Sequence, residues 1–468
     1  MNLQDWGEEE FGRAGLGDAR RHRRLIQMAV RVAEAPAGTV SAVFRTTAER
    51  EGAYRLLSNE HVDWLDIAEA SHAACVERCR GERVVFVAED GSSLNITDDT
   101  RAKGTGPIGA RGMGARGFQL MNAIAITLDG VPVGICGQTW WARSEKADPR
   151  SDKAKSPEEK ETRHWYELAA QVRERFATYG DGDTIAWFQY DRGGDAWPVL
   201  LDAQNIGQWV TVRSSSDRRI ADSPDGTRRY LRETVAASPV LGSYNLRVTG
   251  GPGRAARTAV MEVKACPVAL QMTDDRTSKK HEVVVWAVST KEVGSTPEGE
   301  KPLHWLLLTT RPVLDLQDAQ LTIYGYTQRW RVEEFHKAWK SAYCDVEDLQ
   351  LRSENGIRAW GTLLAAAAMR LLRLTYLSRH EPDRPATDEF SVDEIHAVHM
   401  ARDKDWNGKR IPTIGQVTRW IADLGGYVGK SSGGPPGMIV LARGWERVAP
   451  IARVVSRLRR LQGGGSEM

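Results

Sequence analysis

Two short runs of β-branched and aromatic residues, Val84 to Ala88 and Thr184 to Tyr190, each lead into an aspartate, Asp90 and Asp191. Runs this short and this continuously apolar read as strands buried on both faces. A chain that contains them must build a covered sheet. Between them, residues 119–128 and 131–140 flank Asp129-Gly130, a strong hairpin signal. A helix is expected from Ser156-Pro157 to about residue 178, with proline in its first turn. Another is expected from Asp195, and one more strand from Gln208 to Val212. The fold class is therefore α/β. Further β-type runs at 239–249, 257–271, 282–290 and 304–309, separated by Gly, Pro and Ser, read as a β-rich insertion at about 215–310. Residues 1–80 read as helices, with Leu25, Met28, Ala29 and Val32 at helical spacing. Helices return from about 314 and break at the Ser-Ser-Gly-Gly-Pro-Pro-Gly of 431–437. A last helix at about 441–461 precedes a tail, 462–468, read as disordered.

Net charge is only +2 over 468 residues, so the total does not announce a nucleic-acid binder. Local clusters do more: Arg20, Arg21, Arg23 and Arg24 surround His22, and Arg101, Lys103, Arg111 and Arg116 lie in a glycine-rich loop. Such clusters can neutralise phosphates even when acids elsewhere balance the total. The five cysteines form no disulfide framework and read as reduced, in a cytoplasmic protein. The most apolar stretch, Leu363 to Leu372, is interrupted by Arg370 and is too short to cross a bilayer, so no membrane partner is expected. The acidic start, with Glu8, Glu9 and Glu10, is not a secretory signal.

The segment from Tyr326 to Lys340 carries the chemistry. On an ideal helix Tyr326, Arg329, Glu333 and Lys340 fall within an arc of about 60°. Val332, Phe335 and Trp339 fall on roughly the opposite side. A packing face is thus set against a stripe holding a phenol, a guanidinium, a carboxylate and an ammonium. Asp90 or Asp191 alone is an ordinary turn residue, and a charged stripe alone is an ordinary solvated face. Together, three carboxylates suit divalent ions that activate a nucleophile and stabilise a leaving oxygen in phosphodiester cleavage. Arg329 and Lys340 suit phosphates. A glycosidase would need only two carboxylates and gives Arg329 and Lys340 no role.

The spacing Tyr326, Arg329, Glu333, Lys340 resembles the signature of bacterial insertion-sequence DDE transposases. Leu16-Gly17-Asp18 and Glu51-Gly52-Ala53-Tyr54-Arg55 resemble that family's N-terminal DNA-binding segment, and Glu89-Asp90 with Ser92, Ser93 and Leu94 its first catalytic motif. Asp191-Arg192 and Asp195 resemble the second motif, and Trp305 to Thr309 the strand leading to the catalytic helix. The resemblance implies a ribonuclease-H-like core and three domains: a helical DNA-binding domain (1–75), a catalytic domain (76–365) and a C-terminal helical dimerisation domain (366–468). It implies two Mg²⁺ ions on Asp90, Asp191 and Glu333, with Mn²⁺ as a substitute. It also implies cut-and-paste transposition: ends are nicked, sealed as hairpins, reopened and joined to target DNA by a homodimer acting beside the bacterial nucleoid. Trp305 would stack a displaced base, and Arg213, Arg24 and Arg55 would lie on DNA together with Tyr326, Arg329 and Lys340. Non-catalytic regulators of transposition and nucleases that cut without joining are the alternatives. Gly193 and Gly194 depart from the family's bulkier residues, and a looser loop is expected there.

Overall fold

The computed structural model describes residues 3–99, 101–109, 114–146, 148–221, 229–429 and 434–463. Arg111 and most of the tail expected to be disordered lie outside them. Five helices open the chain: α1 (Leu3–Phe11), α2 (Ala19–Glu34), α3 (Val40–Val43), α4 (Thr47–Leu57) and α5 (Trp64–Arg78). Helix α2 starts where Asp18 accepts from the backbone N–H of Arg20. It buries Leu25, Met28, Ala29 and Val32, the expected stripe. Helix α4 starts with a reciprocal cap between Thr46 and Glu49.

A ten-stranded mixed sheet follows. Its first half is β1 (Val84–Asn95), β2 (Gly106–Pro107), β3 (Arg116–Ile126), β4 (Pro132–Trp141), β5 (Ile185–Tyr190) and β6 (Val210–Arg213). Its second half is β7 (Val240–Val248), β8 (Arg257–Thr273), β9 (Lys280–Val293) and β10 (His304–Thr309). Strands β3 and β4 form the hairpin, turning at Gly130 with a φ of +85°. Strand β1 runs antiparallel to β3 and parallel to β5, which runs parallel to β6. The β-type runs of 239–309 are not a separate layer: β10 pairs with β6, so they continue the central sheet outward. A short helix the sequence did not suggest, α8 (Leu231–Ala237), packs on β8.

Two helices cover one face of the first strands: α6 (Arg163–Tyr179) and α7 (Trp197–Asn205). On the other face lie α9 (Leu316–Gln328) and α10 (Trp330–Lys337), followed by α11 (Glu354–His380). Helices α12 (Val392–Ala401), α13 (Ile414–Leu424) and α14 (Met438–Gly463) end the chain. Helix α11 is continuous through the expected domain boundary at 365/366. One hydrophobic core runs from Trp6 through Phe86, Trp339 and Trp360 to Trp445. The N-terminal helices, the sheet and the C-terminal helices are therefore welded together. Asn355 on α11 accepts from the backbone N–H of Trp64 at 2.9 Å and donates to the carbonyl of Val62 at 2.7 Å. The Trp360 indole donates to the Gly38 carbonyl at 2.7 Å. Among the described residues no helix is long and apolar enough to cross a membrane, and all five cysteines are free thiols.

Helix α9 can lie on β1 because residue 325 has no side chain. A Cβ there would come within 2.5 Å of the Phe86 ring, which is fully buried. Gly325→Ala is expected to lift α9 from the sheet and cost about 1–3 kcal/mol, read by chemical denaturation. Unchanged stability would show that this contact does not set the helix position.

Candidate active site

Side chains alternate along strands, and directly paired residues share a face. Asp90 pairs with Asn122. Asp90 and Asp191 each follow the last parallel pair, Glu89 with Tyr190. Gln189 pairs with Thr211, and Leu307 with Arg213. The alternation therefore puts Asp90, Asp191, Arg213, Leu307 and Trp305 on one face of the sheet, the face that α9 packs against. Strand β1 does not stop at Asp90 as the sequence suggested: it runs on to Asn95, held by β3 alone once β5 has ended. Asp90 thus sits where β1 loses a neighbour and the sheet opens.

The segment Tyr326–Lys340 is not one regular helix. Helix α9 ends at Gln328 and α10 begins at Trp330, with Arg329 between them in helical backbone and tight three-residue bonds on either side. A wider π-helical turn, Ala338–Ala342, follows. Such turns recur at functional sites because they re-aim side chains. The four stripe residues consequently do different things. Tyr326 is buried, packed edge-on to Trp305 at 5.5 Å. Lys340 donates to the Ser93 carbonyl of β1 at 2.7 Å and lies 3.5 Å from Glu347, so it ties the helix end to the strand.

Arg329 is the centre of the site. Its two terminal nitrogens donate separately, to Asp90 Oδ2 at 2.7 Å and to Glu333 Oε1 at 2.6 Å. It also lies over the Tyr326 ring at 6.0 Å. Asp90 accepts a further bond from the Gly91 N–H at 2.8 Å. Burial pushes Asp90 up to about 6, Arg329 opposes this, and the nearby charges of Asp191 and Glu333 add to it. Asp90 therefore feels the other two acids, although among the described residues no three His, Cys, Asp or Glu converge closely enough to hold one ion. The guanidinium stands between two of them. The donor set is all carboxylate oxygen, which suits a hard divalent cation.

Asp191 accepts from the Gly193 N–H at 2.6 Å and so starts a tight turn. The two glycines do not loosen that loop. A Cβ on Gly193 would meet Asp191 Oδ1 at 2.9 Å and the Trp165 ring at 3.0 Å, and one on Gly194 would meet Tyr190 Cβ at 2.7 Å. Asp195 then locks the loop: its buried carboxylate accepts from the Ser215 N–H (2.6 Å), the Ser215 hydroxyl (2.8 Å) and Arg218 (2.5 Å).

The remaining expected residues are spread out. Trp305 is half-buried on β10, and Arg213 is half-buried at the end of β6. Arg24 and Arg55 lie on α2 and α4 of the N-terminal helices. The Arg24 guanidinium lies against Gly52, where a Cβ would fall 2.5 Å from its Cζ. Arg55 is exposed and pairs with Glu51 at 3.2 Å. Sequence reasoning missed Asn122, Gln138 and His336, which hydrogen-bond beneath the acids. Their signal was present, since Asn122 and Gln138 are amides inside two largely apolar strand runs. Glu89, which the sequence placed beside Asp90 in the first motif, is fully buried with both oxygens lacking a partner and its carboxyl held well above the usual range by burial.

Two family models match this chain: "Transposase DNA-binding" over residues 3–62 and "Transposase DDE domain" over residues 228–370. Among solved structures, a cryo-EM structure of a piggyBac transposase synaptic complex with hairpin DNA is 9% identical, with a TM-score of 0.39, over 100% of this chain and 85% of that one.

Asp195→Ala would leave Arg218 without its buried partner. The expected loss is about 3 kcal/mol, with faster hydrogen exchange across residues 191–196 and 214–218 by mass spectrometry. Unaltered exchange there would remove Asp195 as the lock of the Asp191 loop.

Proposed function

We propose that this chain, which matches a transposase DNA-binding model over residues 3–62 and a transposase DDE model over residues 228–370, is an enzyme that cleaves DNA and transfers strands, and that it works by cut-and-paste transposition. In this reading it belongs with the bacterial insertion-sequence enzymes of the Tyr-Arg-Glu-Lys signature, acting in the cytoplasm on nucleoid DNA. The observation that carries the reading is Arg329 bridging Asp90 on β1 and Glu333 on α10, with Asp191 on the same sheet face as Asp90 and its charge felt there. The strand order β4-β3-β1-β5-β6, with β3 alone reversed, is what a ribonuclease-H-like core calls for.

Asp90, Asp191 and Glu333 would hold two divalent ions, Mg²⁺ or in its place Mn²⁺. When bound, such ions lower the pKa of an attacking water or hydroxyl and offset charge on the leaving oxygen. Arg329 holds Asp90 and Glu333 in place until DNA arrives, and its fork then suits a phosphate. Trp305, backed by the Tyr326 ring, offers a half-covered aromatic face for a displaced base as the hairpin forms. Arg213 lies on the same sheet face, and Lys340 stands at the far end of the catalytic helix to meet the backbone. Arg24 and Arg55 of the N-terminal helices (1–75) would contact the terminal sequence. The regions 76–365 and 366–468 divide the chain by role, catalysis and dimerisation, rather than into separately folding units. Val454, Leu458 and Leu461 form an exposed stripe on α14, which supports a homodimer.

A second reading, a regulator that binds ends without cutting, draws on one observation: Arg329 occupies the place between two of the three acids. Cleavage assays separate the two. Asp90→Ala, Asp191→Ala and Glu333→Ala are each expected to abolish Mg²⁺-dependent nicking of end DNA while retaining end binding in gel shifts. Nicking that survives in one variant removes that residue from the site, and a wild-type protein that binds but never nicks is the regulator. In Trp305→Ala, nicking should persist while hairpin product falls; equal loss of both steps would argue against base stacking.

A further inference from the structure

A chain of buried side-chain hydrogen bonds runs beneath the acids. The Trp140 indole N–H donates to Gln138 Oε1 at 2.7 Å, and Gln138 Nε2 donates to Asn122 Oδ1 at 2.6 Å. Asn122 Nδ2 then meets His336 Nε2 at 2.8 Å. All four side chains are buried.

The chain has a direction. An indole can only donate, so Gln138 must turn its oxygen to Trp140 and its NH₂ to Asn122. Asn122 must then turn its oxygen to Gln138 and its NH₂ to the histidine. His336 Nε2 can only accept, which leaves the ring proton on Nδ1. Burial, with Lys340 and Arg329 nearby, pushes His336 down to about 3, so the ring stays neutral.

Its ends matter. Asn122 is the cross-strand partner of Asp90, and His336 lies one turn beyond Glu333 on α10. The relay therefore ties the turn of helix that carries Glu333 to the strand position opposite Asp90. Trp339 on the following π-helical turn packs on Trp140 at 5.6 Å, so the relay's head is braced by the same segment.

We propose that His336 is a positioning residue, locked as its Nδ1–H tautomer by Trp140, Gln138 and Asn122, which sets Glu333 against Asp90. The proposal rests on the reading of those two acids as ligands of a divalent ion. The full-length protein labelled with ¹⁵N-histidine reports the tautomer by NMR, with His336→Gln assigning the signal. The wild type is expected to show Nδ1–H; the Nε2–H form would overturn the proposal. Gln138→Glu keeps the side-chain size but removes the N–H. Its carboxylate accepts from both Trp140 and Asn122, the Asn122 amide must reverse, and His336 must carry a proton on Nε2. Retention of Nδ1–H with a bare Nε2 in that variant would overturn the relay.

The second arm measures Mn²⁺ binding without DNA by electron paramagnetic resonance. His336→Leu is expected to weaken it about ten-fold, the lower end for loss of a group that orients a metal ligand. His336→Gln, whose Oε1 can accept from Asn122, should recover most of the loss, and both variants should bind end DNA as before. If His336→Leu does not fold, Gln138→Glu carries the same comparison with the same expected weakening. Equal Mn²⁺ affinity in wild type and variant overturns the positioning role and leaves the acidic site standing. A wild type that binds no Mn²⁺ overturns the site, and the positioning role with it.

Discussion

The structure turns on one guanidinium. Asp90 and Glu333 are 243 positions apart in the chain, and neither would sit comfortably near the other and Asp191 without a cation. Burial and the nearby charges of Asp191 and Glu333 push the Asp90 carboxyl up. Arg329 answers this with a planar fork, one arm to each acid. A lysine, a single point charge, could not hold two carboxylates in fixed directions. The same planar fork has the geometry to grip a phosphate at two oxygens.

That role explains the irregular backbone around it. A straight helix would put Tyr326, Arg329, Glu333 and Lys340 in one solvent-facing stripe. Tightening at Arg329 and widening at Ala338–Ala342 instead send Tyr326 into the core beside Trp305 and Lys340 onto β1 at Ser93. The segment from α9 to the π-helical turn is thus pinned to the sheet at three places: Gly325 on Phe86, Arg329 on Asp90, and Lys340 on Ser93. Three fixed points define an orientation.

Much of this was legible in the sequence, for definite reasons. The strands around β1, the β3–β4 hairpin and the run of β8 to β10 follow from apolar periodicity and a single Asp-Gly turn, both local signals. The helix stripe was legible because 3.6-residue spacing is also local. What escaped was set by tertiary contact. That β10 pairs with β6, so that the β-rich segment extends the sheet, depends on a strand meeting another roughly a hundred residues away. The Gly193-Gly194 pair read as slack because the crowding by Trp165 and Tyr190 is invisible in one dimension. Arg329 could be read as a phosphate ligand but not as a bridge, since its partner Asp90 comes from another element.

The N-terminal helices and the turn that follows α10 meet on a single structural member. On α11, Asn355 holds the backbone at Val62 and Trp64, and Trp360 holds Gly38. One residue further, the Gly361 carbonyl accepts from the Trp339 indole of the π-helical turn at 3.0 Å. Gly361 can receive it because a Cβ there would come within 2.8 Å of Trp140, the head of the His336 relay. Within two turns, one helix therefore grips the segment matched as DNA-binding and the turn that follows Glu333. These contacts share one packed core, and close-packed side chains transmit strain rather than absorb it.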